Sequence, residues 1–422
     1  MHTLDDLKAG RLQGLTRLDL NQDLDEFPPE IFSLADSLEI LNLSGNRLSR
    51  LPHDLYRLRH LKVLFCSDNR FTDMPVAIGQ CQRLETVGFR NNQIERIEGC
   101  ALPPALRALI LTENRLETLP DTLGDCVHLQ KLMLSGNRLA HLPEALSRCH
   151  RLELLRLASN RLTALPHWVL DLPRLAWLAF SGNPCEAEPQ TDLRACRSIR
   201  WDRVTLQDVL GQGASGIIHR ARLDDEPTDV AVKLFKGALT SDGAPLAEVR
   251  ACLAAGQHPG LTGLLGRIDD HPTGLPALVM RLIDPTWFNL AGPPSLDSCT
   301  RDRYPDRLPW RLPALRRLLR TVALAGAHLH ACGLTHGDLY AHNVLCNDEG
   351  EGLLGDFGAA AFSPRALASG LERIEVRAFG LLLDELLERA EDEACDLRQL
   401  AQDCQQPAVS SRPTFEQVAA RL

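Results

Sequence analysis

The chain is expected to fold as an α/β array of short stacked repeats followed by a separate α+β domain. Three observations predict this. Leucines at Leu15, Leu38, Leu61, Leu84, Leu106, Leu129, Leu152 and Leu175 open repeats of 23 residues, with one of 22. The period stops near Trp201, where longer strand-like and helix-like stretches begin. An acid, an amide and a second acid then follow in order as Asp338, Asn343 and Asp356. At 422 residues the chain is long enough for two domains, each with its own core.

Each repeat approximates L-x-x-L-x-L-x-x-N-x-L-x-x-L-P, most cleanly in Leu129–Pro143 and Leu152–Pro166. Asn46, Asn69, Asn92, Asn114, Asn137, Asn160 and Asn183 share one column. Over residues 15–183 this resembles the leucine-rich repeat family. The resemblance implies one short strand per repeat, asparagine side chains bonding neighbouring backbone, and leucines buried only by stacking. The stretch Asn183–Pro189 breaks the period and Arg194–Arg200 is expected to close the solenoid, giving a repeat domain with caps over residues 1–200.

Composition narrows the function. Residues 1–200 carry 24 basic against 25 acidic residues, and residues 201–422 carry 22 against 30, an acidic balance that argues against nucleic-acid binding. No apolar run approaches the roughly 20 residues of a bilayer span. Met1–Asp6 lacks the basic start and apolar segment of a secretory signal. Among the thirteen cysteines there is no C-x-x-C pair. Cys66 fills a leucine column, and Cys81, Cys126 and Cys149 share another, as small buried hydrophobes do. A reducing, cytoplasmic setting is expected.

The second half reads as chemistry. Val204–Leu210 is strand-like and leads into Gly211-Gln212-Gly213-Ala214-Ser215-Gly216. Dinucleotide-binding folds also use G-x-G-x-x-G, but a helix follows the glycines there. Here Ile217–Leu223 reads as a second strand, which places the glycines in a hairpin able to close over phosphates. The next strand, Asp229–Phe235, ends its apolar run on Lys233, one of only five lysines in the chain. Lys233 is either an edge lysine or a phosphate ligand held by an acid, and Glu248, in the helical stretch Pro245–Gly256, is a candidate for that acid. In His336-Gly337-Asp338-Leu339-Tyr340-Ala341-His342-Asn343, Asp338 is suited to orient a hydroxyl. Asn343 and Asp356 offer hard oxygens to Mg²⁺.

Together these residues resemble the eukaryotic-like protein kinase family, over residues 201–422. The resemblance implies a two-lobed α+β domain using ATP and Mg²⁺. Gly211, Gly213 and Gly216 fall in the phosphate loop, with Lys233 and Glu248 as the ion pair. Ile218, Ala231, Met280 and Leu282 surround adenine, Leu278–Ile283 being the strand and hinge. Asp338 is the catalytic aspartate, and Asn343 and Asp356 are the metal ligands. Pro313–Cys332 is the long helix before the catalytic loop, Glu375–Gly380 resembles D-V-W-S-F-G, and Ser411–Phe415 contains R-P-T-F.

Departures from that family shape the reading. Gly337 stands where the family has an arginine that grips a phosphorylated loop, and Tyr340 where serine/threonine kinases have lysine. Only Ala359–Ile374 separates Asp356-Phe357-Gly358 from Glu375, with no A-P-E, so the C-lobe is shortened and Arg412 lacks its usual acid; Glu375 is a candidate replacement. Acceptor recognition is therefore expected on the concave strand face of the repeats, at Ile40, Val63, Phe65, Ile110, Met133, Leu154 and Trp177. The leading expectation is a protein serine/threonine kinase, its own chain included as a possible acceptor. A small-molecule kinase, which H-G-D also resembles, and a catalytically weak pseudokinase scaffold are the alternatives.

Overall fold

A computed structural model describes residues 2–188, 196–213, 215–237, 239–240, 242–274, 276–305 and 310–422. The chain divides into two compact units, Met1–Leu172 and Pro173–Leu422.

In the first unit each repeat supplies a three-residue strand, from Arg17–Asp19 to Leu154–Arg156. The strands run parallel and in step, with Leu41 beside Leu64 and Leu64 beside Val87. Side chains alternate across a strand, so Leu18, Leu41, Leu64, Val87, Leu109, Leu132 and Leu155 all point inward and are buried. The return paths are 3₁₀ turns such as Val76–Gln80, Asp121–Asp125 and Glu144–Arg148, each preceded by proline. So short a return leaves too few residues to nucleate an α-helix.

The asparagine column supplies hydrogen bonds where the parallel strands stop. Asn137 accepts from Leu116 N at 2.9 Å and donates to Leu111 O and Leu134 O, both at 2.9 Å. Leu111 and Leu116 belong to the preceding repeat, so the amide stitches one repeat to the next. Asn46, Asn69 and Asn160 do the same. Cys66, Cys81, Cys126 and Cys149 are buried free thiols, as their columns predict.

The apolar strip is less open than the sequence suggests. Ile40, Phe65, Ile110 and Met133 are half-buried, but Val63, Leu154 and Trp177 are buried and are not free docking residues. Val63 lies in register between Ile40 and Thr86 on one face, and Leu154 lies beside Lys131. Phe65 has an intrachain duty too: its ring covers Gly88, where a Cβ would come within 2.6 Å of it. Trp177 belongs to the second unit and is covered there.

The second unit opens with the last repeat strand, Trp177–Ala179. A five-stranded antiparallel sheet follows, ordered Leu264–Ile268, Ala277–Arg281, Val230–Phe235, Gly216–Leu223 and Val204–Gln212. Pro189, Arg194 and Ala195 lie outside the described residues. The described part of the expected closing segment, Cys196–Arg200, joins this sheet instead of closing the repeats. Ile199 N donates to Arg267 O at 2.8 Å, and Ile199 packs in the sheet core with Val232, Ile268 and Val279. The helix Pro245–Ala255 accompanies the sheet. The rest is mainly helical, built on Leu312–Ala331, Ala368–Leu387, Cys395–Cys404 and Phe415–Ala420. Its small sheets pair Leu334–Thr335 with Ala361–Phe362, and Val344–Cys346 with Gly352–Leu354.

Asn137→Ala leaves Leu116 N without its side-chain acceptor, a buried group worth about 1–3 kcal/mol, whereas Leu111 O and Leu134 O keep Asn114 and Asn160 as donors. A loss of roughly 1–3 kcal/mol in urea unfolding is expected. Glu117→Ala, which removes only an exposed partner of Arg138, should stay within about 0.5 kcal/mol.

Candidate active site

The glycine segment forms a hairpin, with Ile217 opposite Gln212 and Ile218 opposite Gly211. Ala214 lies outside the described residues. Gly216 is required by packing, since a Cβ there would meet Leu234 O at 2.5 Å. Gly211 and Gly213 differ: a Cβ on either would meet nothing within 4 Å, so no protein contact demands glycine. The open space at Gly211 and Gly213 suits the close approach of phosphate oxygens, with Gly213 N donating to Gly216 O at 3.0 Å across the hairpin. Ile218 lies opposite Lys233, and Ala231 opposite Met280, so the residues expected around adenine meet on adjoining strands. Leu282 follows directly after the strand Ala277–Arg281.

Lys233 Nζ lies 2.5 Å from Glu248 Oε1 and 3.9 Å from Asp356 Oδ1. Glu248 stands in the first turn of Pro245–Ala255 and is almost wholly buried. Burial disfavours the Lys233 ammonium, but the charges of Glu248 and Asp356 hold its pKa above the ordinary lysine value. Burial pushes the Glu248 carboxyl up to about 7 against the pull of Lys233. Asp356 adopts φ +55°, the left-handed region, a conformation that costs a non-glycine residue about 1–3 kcal/mol. Its Oδ1 accepts from Gly358 N at 3.2 Å.

Asn343 links the remaining parts. Its Nδ2 donates to Asp338 Oδ2 at 2.9 Å and to Asp338 O at 2.8 Å. Its backbone carbonyl accepts from Gly355 N at 2.9 Å, immediately before Asp356. With the amide nitrogen committed to Asp338, Asn343 Oδ1 is the atom left to serve as a ligand. Beside it, Asp356 contributes a half-exposed carboxylate. Both are hard oxygen donors of the kind Mg²⁺ selects, so the residues present fit that ion.

The loop carrying Asp338 is fixed from beneath. His336 Nε2 donates to Gly355 O at 2.9 Å, and His336 Nδ1 accepts from Asp338 N at 3.3 Å. Glu375 accepts from Gly337 N through Oε1 and from His330 Nε2 through Oε2, the latter at 2.7 Å. Burial would raise the Glu375 pKa, but these two hydrogen bonds and the neighbouring histidines bring it below the ordinary carboxylate value. Glu375 is therefore not the partner of Arg412. The Arg412 guanidinium donates instead to the carbonyls of Gln406, Arg373 and Pro173. Sequence reasoning also missed His342, whose Nδ1 lies 2.7 Å from Asp302 Oδ1. Burial lowers the His342 pKa, but Asp302, with help from Asp338 and Asp356, raises it overall.

Residues 204–369 match the family model described as protein tyrosine and serine/threonine kinase. Residues 37–58, 82–139 and 128–184 match leucine-rich repeat models. The chain is similar to CBL-interacting protein kinase 22 of Oryza sativa subsp. japonica, 31% identical over 38% of this chain and 37% of that one. It is also similar to the DNA damage-responsive serine/threonine-protein kinase RqkA of Deinococcus radiodurans, 30% identical over 38% of this chain and 23% of that one. Its repeats resemble those of leucine-rich repeat and calponin homology domain-containing protein 1 of Mus musculus, 31% identical over 26% of this chain and 16% of that one. The chain spans less than half the length of these relatives. It thus carries leucine-rich repeats followed by a two-lobed protein kinase domain. Among the described residues no helix is long and apolar enough to cross a membrane.

Removing the Glu375 carboxylate strands a buried backbone N–H and a buried imidazole together. Leaving buried hydrogen-bonding groups unsatisfied costs about 1–3 kcal/mol each. Glu375→Ala should lose that much stability in chemical unfolding, whereas Glu375→Gln, which can still accept from Gly337 N, should lose less.

Proposed function

We propose that this chain, which joins leucine-rich repeats to a protein kinase domain, is an ATP- and Mg²⁺-dependent protein kinase. It transfers the γ-phosphoryl group to serine or threonine hydroxyls, with its own chain as one acceptor. The reading is carried by one observation: Lys233 pairs with Glu248 and faces Asp356, while Asn343 bonds both Asp338 and Gly355 N, the residue before Asp356.

In this reading the hairpin around Gly211 and Gly213 covers the phosphates and Lys233 neutralises the α- and β-phosphates. Asn343 and Asp356 would hold Mg²⁺, which supplies charge neutralisation on the phosphate oxygens when bound. Asp338 orients the acceptor hydroxyl and receives its proton. The hydroxyl oxygen forms a bond to the γ-phosphorus as the bond to the β–γ bridging oxygen breaks, and ADP leaves. Positioning and charge stabilisation carry most of the rate gain. The thirteen free thiols support work in a reducing cytoplasm.

We assign the repeats the task of holding a protein partner, through the half-buried apolar residues of the strand face, Ile110 and Met133 foremost. The kinase unit gives this reading weight. Only nine residues, Ala359–Leu367, separate Gly358 from the helix Ala368–Leu387, which leaves little chain to position a peptide. The same shortness favours a small-molecule acceptor as the second reading.

Full-length protein incubated with γ-labelled ATP, alone and with lysate, should acquire label on serine or threonine. Asp338→Ala should reduce it by about 10²–10⁴-fold, the usual worth of a positioned acid or base. Label on a metabolite alone would favour the small-molecule kinase, and nucleotide binding without any Asp338-dependent label would favour the scaffold. A chain with both Ile110→Asp and Met133→Asp should phosphorylate a native partner about tenfold or more slowly. Its self-labelling should remain. An unchanged partner rate would refute the docking role.

A further inference from the structure

Gly337 immediately precedes Asp338 and has φ +73°. A Cβ at Gly337 would come within 2.5 Å of Ala359 O and 2.8 Å of Leu178 O. The second of these carbonyls belongs to the last repeat strand, Trp177–Ala179. That strand lies so close to the catalytic loop that no side chain fits between them.

Trp177, next along the strand, meets the loop on the other side of Asp338. Its Nε1 donates to Leu339 O at 3.0 Å. Its ring stacks on Tyr340, with centroids 4.0 Å apart and planes 6° apart. Trp177 is only 2% exposed. Offset stacking adds to the burial of two large aromatic surfaces. The backbone on both sides of Asp338 is thus held by residues 177 and 178.

The segment that follows the last repeat extends the contact. Glu186 accepts from Phe362 N at 3.0 Å and from Gly182 N at 2.7 Å, while Ala187 N donates to Phe362 O at 3.1 Å. Phe362 in turn pairs with Leu334, at the start of the catalytic loop. A third tie comes from below, where Arg412 Nη2 donates to Pro173 O at 2.9 Å and Arg377 Nε to Arg174 O at 3.1 Å. The stretch Pro173–Ala187 therefore bonds to the short Ala359–Leu367 segment at Phe362, to the loop at Leu339, and to Arg377 and Arg412.

We infer that Trp177 is a positioning residue for Asp338. The last repeat orders the catalytic loop permanently, by stacking and hydrogen bonding, with no modification of the segment after Gly358 required. The inference rests on the kinase reading for its consequence in rate, but the ordering itself is a separate physical claim. Among the described residues Trp177 meets Leu339 and Tyr340 of the loop and the Arg301 guanidinium, so its loss should slow transfer without weakening ATP binding on the Lys233 side.

The test compares full-length parent, Trp177→Ala, Trp177→Phe and Tyr340→Leu proteins by hydrogen exchange, thermal unfolding and kinetics. In Trp177→Ala, exchange across residues 336–343 should quicken by about tenfold or more, while the sheet around Lys233 keeps parental protection. The kcat for Asp338-dependent labelling should fall by about 10–10²-fold, since small misplacements carry penalties of that order. The KM for ATP should stay within about twofold, and Trp177→Phe, which keeps a ring to stack, should recover much of the rate. Should Trp177→Ala not fold, Tyr340→Leu retains Trp177 and removes the stack, so it supplies the same comparison. Parental exchange and kcat in a folded variant would overturn the inference. So would exchange that quickens throughout the unit with kcat and ATP affinity falling together, because that pattern marks a merely structural residue. A parent without Asp338-dependent labelling would end the kinase reading alone, since exchange would still decide whether Trp177 orders the loop.

Discussion

The buried carboxylate of Glu375 is the constraint on which the catalytic unit depends. It accepts from Gly337 N and His330 Nε2, and so ties the loop before Asp338 to two helices, Ala368–Leu387 and Leu312–Ala331. A carboxylate this deep is tolerated because charge-assisted donors replace the water it has lost. From that fixed point the order propagates outward. His336 holds both Asp338 N and Gly355 O, and Asn343 joins Asp338 to Gly355. Asp356 then faces Lys233 at 3.9 Å. Each link is a hydrogen bond or ion pair between groups with few other arrangements open to them.

The two units meet the same accounting problem, how to satisfy buried backbone groups, by different means. The repeats use a periodic answer, one asparagine per turn that accepts from one repeat and donates to two. The catalytic unit uses single, non-repeating side chains. Arg412 illustrates this. Its guanidinium is almost completely buried and donates to three backbone carbonyls from separate segments. A buried cation needs compensation, and here carbonyl dipoles contribute it where the family pattern led one to expect a carboxylate.

Periodicity made much of this legible. The leucine and asparagine columns specify the strands, their register and the stitching, because every repeat restates the same requirement. Lys233, Glu248, Asp338, Asn343 and Asp356 stood out because their order and spacing carry chemistry, and the fold brings them together. Other features were hidden for physical reasons. Glu375 reads as a partner for Arg412 because letters display charge, whereas its partners are a backbone N–H and a histidine, and the arginine's are carbonyls. Trp177 shared the column of exposed strand residues, and its burial comes from a loop 162 residues later. Arg194–Arg200 read as a cap because the repeat had ended, but Ile199 is an apolar residue with a sheet core to join.

The position of Gly337 connects these threads. As a departure from the family pattern it reads as a loss, the removal of an arginine and of the switch that arginine serves. In the fold it is a requirement, because φ +73° and the carbonyls of Ala359 and Leu178 exclude any side chain. An arginine cannot be restored there without moving the repeat strand. The glycine before Asp338, the short segment after Gly358 and the indole over Tyr340 are therefore three aspects of one arrangement. The boundary of the catalytic unit lies accordingly at Pro173, ahead of the point where the leucine period ends, because the last repeat is bonded to the loop that holds Asp338.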